Sequence, residues 1–173
     1  MIIAIVGGGT GGHIYPGIAV AECLHKCDIG TRILFIGSED GMEKEVVSRE
    51  RFSIKLIKSG RILRTISWAS LKAPFAAFMG FLQSLKILRE FKPDLVVSTG
   101  GYVSFPVVLA ATFLRIPVLL HEQNSIPGIT NRICQLFAKK ITVSFENALQ
   151  FFSSWKTSFT GNPVREKITN AVK

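Results

Sequence analysis

The sequence predicts a doubly wound α/β fold, Rossmann-like, with helices on both faces of a parallel sheet. Short apolar runs alternate with helix-length segments along the 173 residues, the pattern of strands joined by right-handed crossovers. The first run, Met1–Val6, passes into the glycine-rich turn Gly7-Gly8-Gly9-Thr10-Gly11-Gly12-His13, where a strand hands over to a helix. With 47% hydrophobic residues, a chain of this length builds one domain around a substantial core.

Each element follows from its residues. Met1–Val6 reads as a buried strand and Ile14–Lys26 as a helix with Ile18, Ala21 and Cys23/Leu24 inward. Pro16 fits a helix best in its first turn, where a missing N–H costs nothing, so this helix should begin between Gly12 and Pro16. Arg32–Ile36 is a second strand, Gly41–Arg49 a short polar helix, and Ser53–Ile57 a weaker strand nearer an edge. A long helix follows over Ala69–Phe91, then the buried strand Asp94–Ser98. Helix Phe105–Leu114 stops before Ile116-Pro117; strand Pro117–His121, helix Thr130–Phe137 and strand Lys140–Ser144 complete the series. Phe145–Trp155 reads as a short helix and Thr157–Thr160 as a last strand. We expect a domain over 1–160 and the start of an interdomain linker over 161–173, with a further domain beyond it.

The chain carries 21 Lys+Arg against 12 Asp+Glu, a net charge of +9, which favours an anionic partner. Nucleic acid is disfavoured, because the basic residues are dispersed and no nucleic-acid-binding motif is present. Cys23, Cys27 and Cys134 lack zinc-ligand spacing and should be reduced packing residues; no metal is expected. Met1 enters a strand without a basic leader, and no apolar stretch reaches the roughly 18–20 residues of a membrane span. A cytoplasmic setting is therefore expected.

A backbone bare of side chains against a helix N-terminus offers N–H groups and partial positive charge to an anion. Gly7, Gly9 and Gly12 also fit G-x-G-x-x-G, so a dinucleotide site is an alternative. Its usual ribose-binding acid is poorly matched, since Glu39 falls late, beyond the end of the second strand. The more informative feature is repetition. Ser98-Thr99-Gly100-Gly101-Tyr102 follows the fourth strand as Thr10-Gly11-Gly12-His13 follows the first, each with a proline a few residues on. In the common doubly wound order those strands are neighbours, and ligands bind in the crevice between their carboxyl ends. At the same edge, His121-Glu122-Gln123-Asn124 ends the fifth strand. His13, His121 and Glu122 are candidate general bases, while Asn124 and Tyr102 can orient hydroxyls or phosphates.

These motifs resemble the MurG family, the peptidoglycan N-acetylglucosaminyltransferases that convert lipid I to lipid II. The resemblance is carried by Gly8-Gly9-Thr10-Gly11-Gly12-His13 with Tyr15-Pro16-Gly17, by Gly100-Gly101-Tyr102-Val103-Ser104, by His121-Glu122-Gln123-Asn124 and by Gly161-Asn162-Pro163-Val164-Arg165. It runs in family order from Met1 to Arg165; Phe105 departs from it, since the family often has a small residue there. It implies the amino-terminal, acceptor-side half of a two-domain GT-B glycosyltransferase whose carboxy-terminal donor domain is absent from these residues. It implies donor contacts, to UDP-GlcNAc, from Thr10, Gly11, Gly12, Asn124 and Arg165. It implies acceptor contacts, to lipid I, from His13, Gly100, Gly101, Tyr102, His121, Glu122 and Asn131. An inverting transfer needs a base near the acceptor 4-hydroxyl: His13 is the first candidate and Glu122 its rival. No cofactor is implied, and these residues alone should turn over nothing. A non-catalytic lipid-diphosphate or membrane-recruitment module of a split glycosyltransferase is the other alternative.

The long helix is both aromatic and basic. Trp68, Phe75, Phe78 and Phe81 cannot share one narrow core-facing stripe, and Lys72, Lys86 and Arg89 intersperse. Either neighbours bury the helix all round, or Trp68, Phe75, Phe78, Phe81, Lys72 and Arg89 contact an anionic membrane surface. An enzyme of an undecaprenyl-linked acceptor would lie on the inner face of the bacterial cell membrane.

Overall fold

In a computed structural model, residues 1–60, 68–165 and 167–168 are described, with the side chains of 68–73 excepted. Seven parallel strands form one sheet: β1 (Ile2–Gly7), β2 (Arg32–Ser38), β3 (Ser53–Ile57), β4 (Leu95–Gly100), β5 (Val118–Glu122), β6 (Lys140–Val143) and β7 (Thr157–Phe159). Their order is β3-β2-β1-β4-β5-β6-β7. The chain thus steps outward from β1 to β3, returns to lay β4 on the other side of β1, and continues to β7. β1 and β4 are neighbours, as expected, and β3 is an edge.

The central strands are largely apolar because both faces are covered, whereas the edge strands β3 and β7 are partly exposed. In β1, Ile3 and Ile5 face a core with Ile14, Ile18, Phe35, Val47 and Val97, beneath α1 (Gly11–Cys27) and α2 (Glu43–Arg49). Ala4 and Val6 face the opposite core, with Leu88, Val107, Val108, Leu120 and Ile141. That side is covered by α3 (Trp68–Phe91), α4 (Ser104–Phe113) and α5 (Ile129–Cys134). Phe105 is half-buried against this second core.

Three expectations need correction. Helix α1 starts at Gly11, which puts Pro16 inside it; the carbonyl left without its helical donor is that of Gly12, one turn before the ring. Cys23 does not face inward but is exposed, as is Cys27. The segment after β6 is not one helix but two 3₁₀ turns, Glu146–Phe151 and Ser154–Lys156. Between them Phe152 takes an extended backbone (φ −124°, ψ 159°) and buries its ring in the core.

The end of the β1–β4 pair prepares the site. The register shifts after Val6, so that Gly7 pairs with Gly100 and Thr99 is the extra residue, a bulge that redirects its groups. The two glycine loops then pack backbone to backbone, with Gly8 N–H donating to the Gly100 carbonyl (3.2 Å). Gly101 has φ +86°, and a Cβ there would lie 2.0 Å from the Gly8 oxygen. Only glycine permits that approach.

Candidate active site

His13 sits in the first turn of α1, and Thr99 holds that turn from β4. The Thr99 hydroxyl donates to the His13 carbonyl (2.6 Å), while the Thr99 carbonyl lies 2.9 Å from His13 Nδ1. A carbonyl only accepts, so Nδ1 carries the proton. In the neutral ring Nε2 then holds the free lone pair. The Gln123 side chain also meets Nδ1. The atom placed there is Nε2, and two N–H donors cannot bond each other, so we assign the carboxamide the flipped orientation, which gives its otherwise unpartnered buried oxygen the Nδ1 proton.

Around this imidazole the other motifs converge. Gly100 lies beside both His13 and Asn131: a Cβ on it would be 3.1 Å from His13 Nδ1 and 3.0 Å from the Asn131 amide. The Tyr102 ring packs on Gly9, where a Cβ would be 2.6 Å from Cε1. Along the glycine loop the amides divide. Gly8 and Gly9 N–H are taken, by the Gly100 carbonyl and a Glu43 carboxylate oxygen (2.7 Å). Thr10, Gly11 and Gly12 N–H have no partner among the described residues. They lie at the positive end of α1, with Thr10 and Gly12 exposed.

The segment after β5 is held from within. Glu122 is fully buried; Oε1 accepts from the Asn124 backbone and side-chain N–H groups (2.9 Å each), and Oε2 from Asn131 Nδ2 (2.8 Å). All three of these hydrogen bonds go to Asn124 and Asn131, and both oxygens are engaged. His121 is buried as well, with Thr142 Oγ1 at 2.9 Å from Nδ1 and Ser144 Oγ at 3.1 Å from Nε2. Burial pushes its imidazole below the ordinary histidine range, only partly offset by Asn162 and the Glu122 charge. Neither ring nitrogen is free for a ligand.

Arg165 is placed differently from the rest. Its guanidinium donates to Glu22 (2.8 Å), pairs with Glu50 (2.5 Å) and lies over the Tyr15 ring. The Glu22 bond raises its pKa, and the guanidinium holds the Glu50 carboxyl below the usual range. Buried Cys134 is pushed up to about 12 by desolvation, so its thiol is inert.

On α3, Phe75, Phe78 and Leu82 are exposed, as are Lys86 and Arg89 further along. Their spacing puts all five on one outward stripe. Phe81 belongs to the other side: half-buried, it packs edge-on against Phe113 with centroids 6.3 Å apart. Phe113, itself exposed, extends the apolar surface and was not marked by any sequence motif. The side chains of Trp68 and Lys72 lie outside the described residues. No helix among the described residues is long and apolar enough to cross a membrane.

Comparison with known proteins bears on the family and the fold. The glycosyltransferase family 28 N-terminal domain matches residues 3–143. The chain is 47% identical, over 96% of its length, to 46% of a UDP-N-acetylglucosamine--N-acetylmuramyl-(pentapeptide) pyrophosphoryl-undecaprenol N-acetylglucosamine transferase of Caldanaerobacter subterraneus subsp. tengcongensis. A protein of that name from Lactococcus lactis subsp. lactis is 43% identical, with 99% of this chain and 48% of that one covered. The chain therefore spans about half the length of the curated relatives it matches. Among solved structures, MurG of Acinetobacter baumannii superposes with a TM-score of 0.79 at 31% identity, covering 97% of this chain and 47% of that one. A UDP-GlcNAc 2-epimerase of Neisseria meningitidis shares the fold alone, with a TM-score of 0.67 at 19% identity over 94% of this chain and 46% of that one.

Proposed function

Because the chain belongs to the glycosyltransferase family 28 N-terminal domain family, we propose that it is the acceptor-side half of an inverting N-acetylglucosaminyltransferase. The whole enzyme moves GlcNAc from UDP-GlcNAc to the muramyl 4-hydroxyl of lipid I, giving lipid II. The observation that carries this reading is the pairing of three open amides, Thr10 to Gly12, with an imidazole whose tautomer is set by the Thr99 carbonyl. His13 Nε2 takes the proton as the acceptor oxygen attacks the anomeric carbon, and the UDP oxygen leaves with the bonding electron pair. The open amides and the α1 N-terminus meet the charge that develops on the diphosphate. Asn124 helps hold the donor, and Arg165 joins it by exchanging Glu22 and Glu50 for phosphate oxygens. Gly100, Gly101, Tyr102 and Asn131 shape the acceptor side, while Glu122 and His121 act through the loop they hold. Residues 161–173 begin the linker to a donor-binding domain, and no cofactor enters the reaction. A dinucleotide is disfavoured because Glu43 already occupies the Gly9 amide.

The test is a transfer assay with UDP-GlcNAc and a lipid I analogue in detergent. The full-length protein is expected to form a new GlcNAc bond at the muramyl 4-hydroxyl with inversion, and residues 1–173 alone to form none. No transfer by the full-length protein would overturn the reading.

The α3 stripe supports a peripheral membrane contact on the cytoplasmic face, where an undecaprenyl-linked acceptor resides. Phe75 and Phe78 are 69% and 56% exposed, and Lys86 and Arg89 continue the stripe toward anionic headgroups. Replacing both phenylalanines with serine should cut vesicle co-sedimentation roughly tenfold, because two large apolar side chains no longer insert. The melting temperature should hold, since neither ring is in the core. Binding that is equal on neutral and anionic vesicles and indifferent to salt would contradict the electrostatic part.

A further inference from the structure

Glu43 is the most unexpected residue near the cleft. An acidic residue at the start of a short surface helix normally faces water and the helix dipole. This one is 1% exposed and lies beneath the glycine loop. Oε1 accepts the Gly9 N–H at 2.7 Å, while Oε2 is buried with no partner. Glycines make room for it: a Cβ at Gly8 would lie 1.7 Å from Oε1, and one at Gly41 would lie 1.5 Å from Oε2.

Burying a carboxylate is costly, and a single N–H offsets only part of that cost. A leucine would fill the space without desolvating a charge, but could not accept the Gly9 N–H. Gly9 is the pivot of the loop. It has φ +85°, supports the Tyr102 ring, and is followed directly by the three open amides.

We propose that Glu43 is a positioning residue for the donor diphosphate: by holding Gly9 from beneath, it aims the Thr10–Gly12 amides into the cleft. The proposal rests on the glycosyltransferase reading for its kinetic consequence, but not for its structural one.

Two substitutions in the full-length protein separate reach from charge. Glu43→Gln keeps an oxygen within reach of Gly9, whereas Glu43→Asp keeps the charge and withdraws it by one methylene. Loss of one charge-assisted hydrogen bond corresponds to about tenfold or more. Glu43→Asp should therefore raise the KM for UDP-GlcNAc by about that factor and leave the KM for the lipid acceptor within about twofold. Glu43→Gln should stay within about threefold of wild type on both. In selectively labelled protein, the Gly9 amide proton should move upfield in Glu43→Asp and stay near its wild-type shift in Glu43→Gln. A donor KM unchanged in both variants, a Gln variant no better than Asp, or an equal rise in both KM values overturns the proposal. If the wild-type protein transfers no GlcNAc, the functional reading fails, and the Gly9 shift still decides the positioning role.

Discussion

Replacing His13 with alanine in the full-length enzyme is expected to lower kcat by about 100- to 10,000-fold, the usual worth of a general base. The expectation rests on Nδ1. Because the Thr99 carbonyl fixes the proton there, the lone pair is confined to Nε2. The candidate bases differ in this respect. His121 has both ring nitrogens engaged in the interior, and the Glu122 bonds go to Asn124 in its own loop and Asn131 on α5. Fold stability should change little, since His13 is only half-buried and its side chain adds about one neutral hydrogen bond. Steady-state kinetics of His13→Ala, with His13→Gln as the neutral hydrogen-bonding control, measures the loss in kcat directly. A loss smaller than about tenfold would remove His13 from the chemical step.

Much of this architecture was legible in the sequence because its signals are redundant. Strands buried on both faces carry unbroken apolar runs, so β1, β2, β4 and β5 stood out whatever their partners. The repeated Thr-Gly-Gly loops located the β1–β4 crevice because adjacent carboxyl ends in a doubly wound sheet leave no other shared space. What escaped depends on contacts distant in the chain. Pro16 looked like a first-turn residue because local preference is for proline there, whereas the helix starts at Gly11, earlier than that preference suggests. Glu43 was unreadable: an acid near a helix start is ordinary, and its burial arises from glycines at positions 8 and 41. A serine or alanine at either position would have announced an ordinary surface helix. Cys23 failed for a simpler reason, since α1 buries a narrower stripe than its apolar content suggests. The capacity of Arg165 to hold a diphosphate follows from its residue type, but its present partners, Glu22 and Glu50, lie more than a hundred positions earlier.

Glu122 separates scaffold from catalyst most sharply, and its removal should chiefly destabilise the protein. Glu122→Ala deletes the acceptor for Asn131, which is 2% exposed, and for both Asn124 donors. Hydrogen bonds to a charged group contribute about 1.5–3 kcal/mol each, and those sharing one carboxylate do not add. A loss on the order of 3 kcal/mol follows, which lowers the melting temperature of a domain this size by about 6–12 °C. Glu122→Gln should fall between wild type and alanine: one oxygen still accepts, while the new amide group meets an asparagine N–H and leaves it unpaired. A general base would behave in the opposite way. Glu122→Gln would then melt like the wild type and lose activity at the chemical step. Thermal denaturation of residues 1–173, set beside kcat of the full-length variants measured well below their melting temperatures, distinguishes the two. If Glu122→Gln is as stable as wild type but more than about 100-fold slower, the base is Glu122, and the loop around Asn124 and Asn131 is held by something other than its carboxylate.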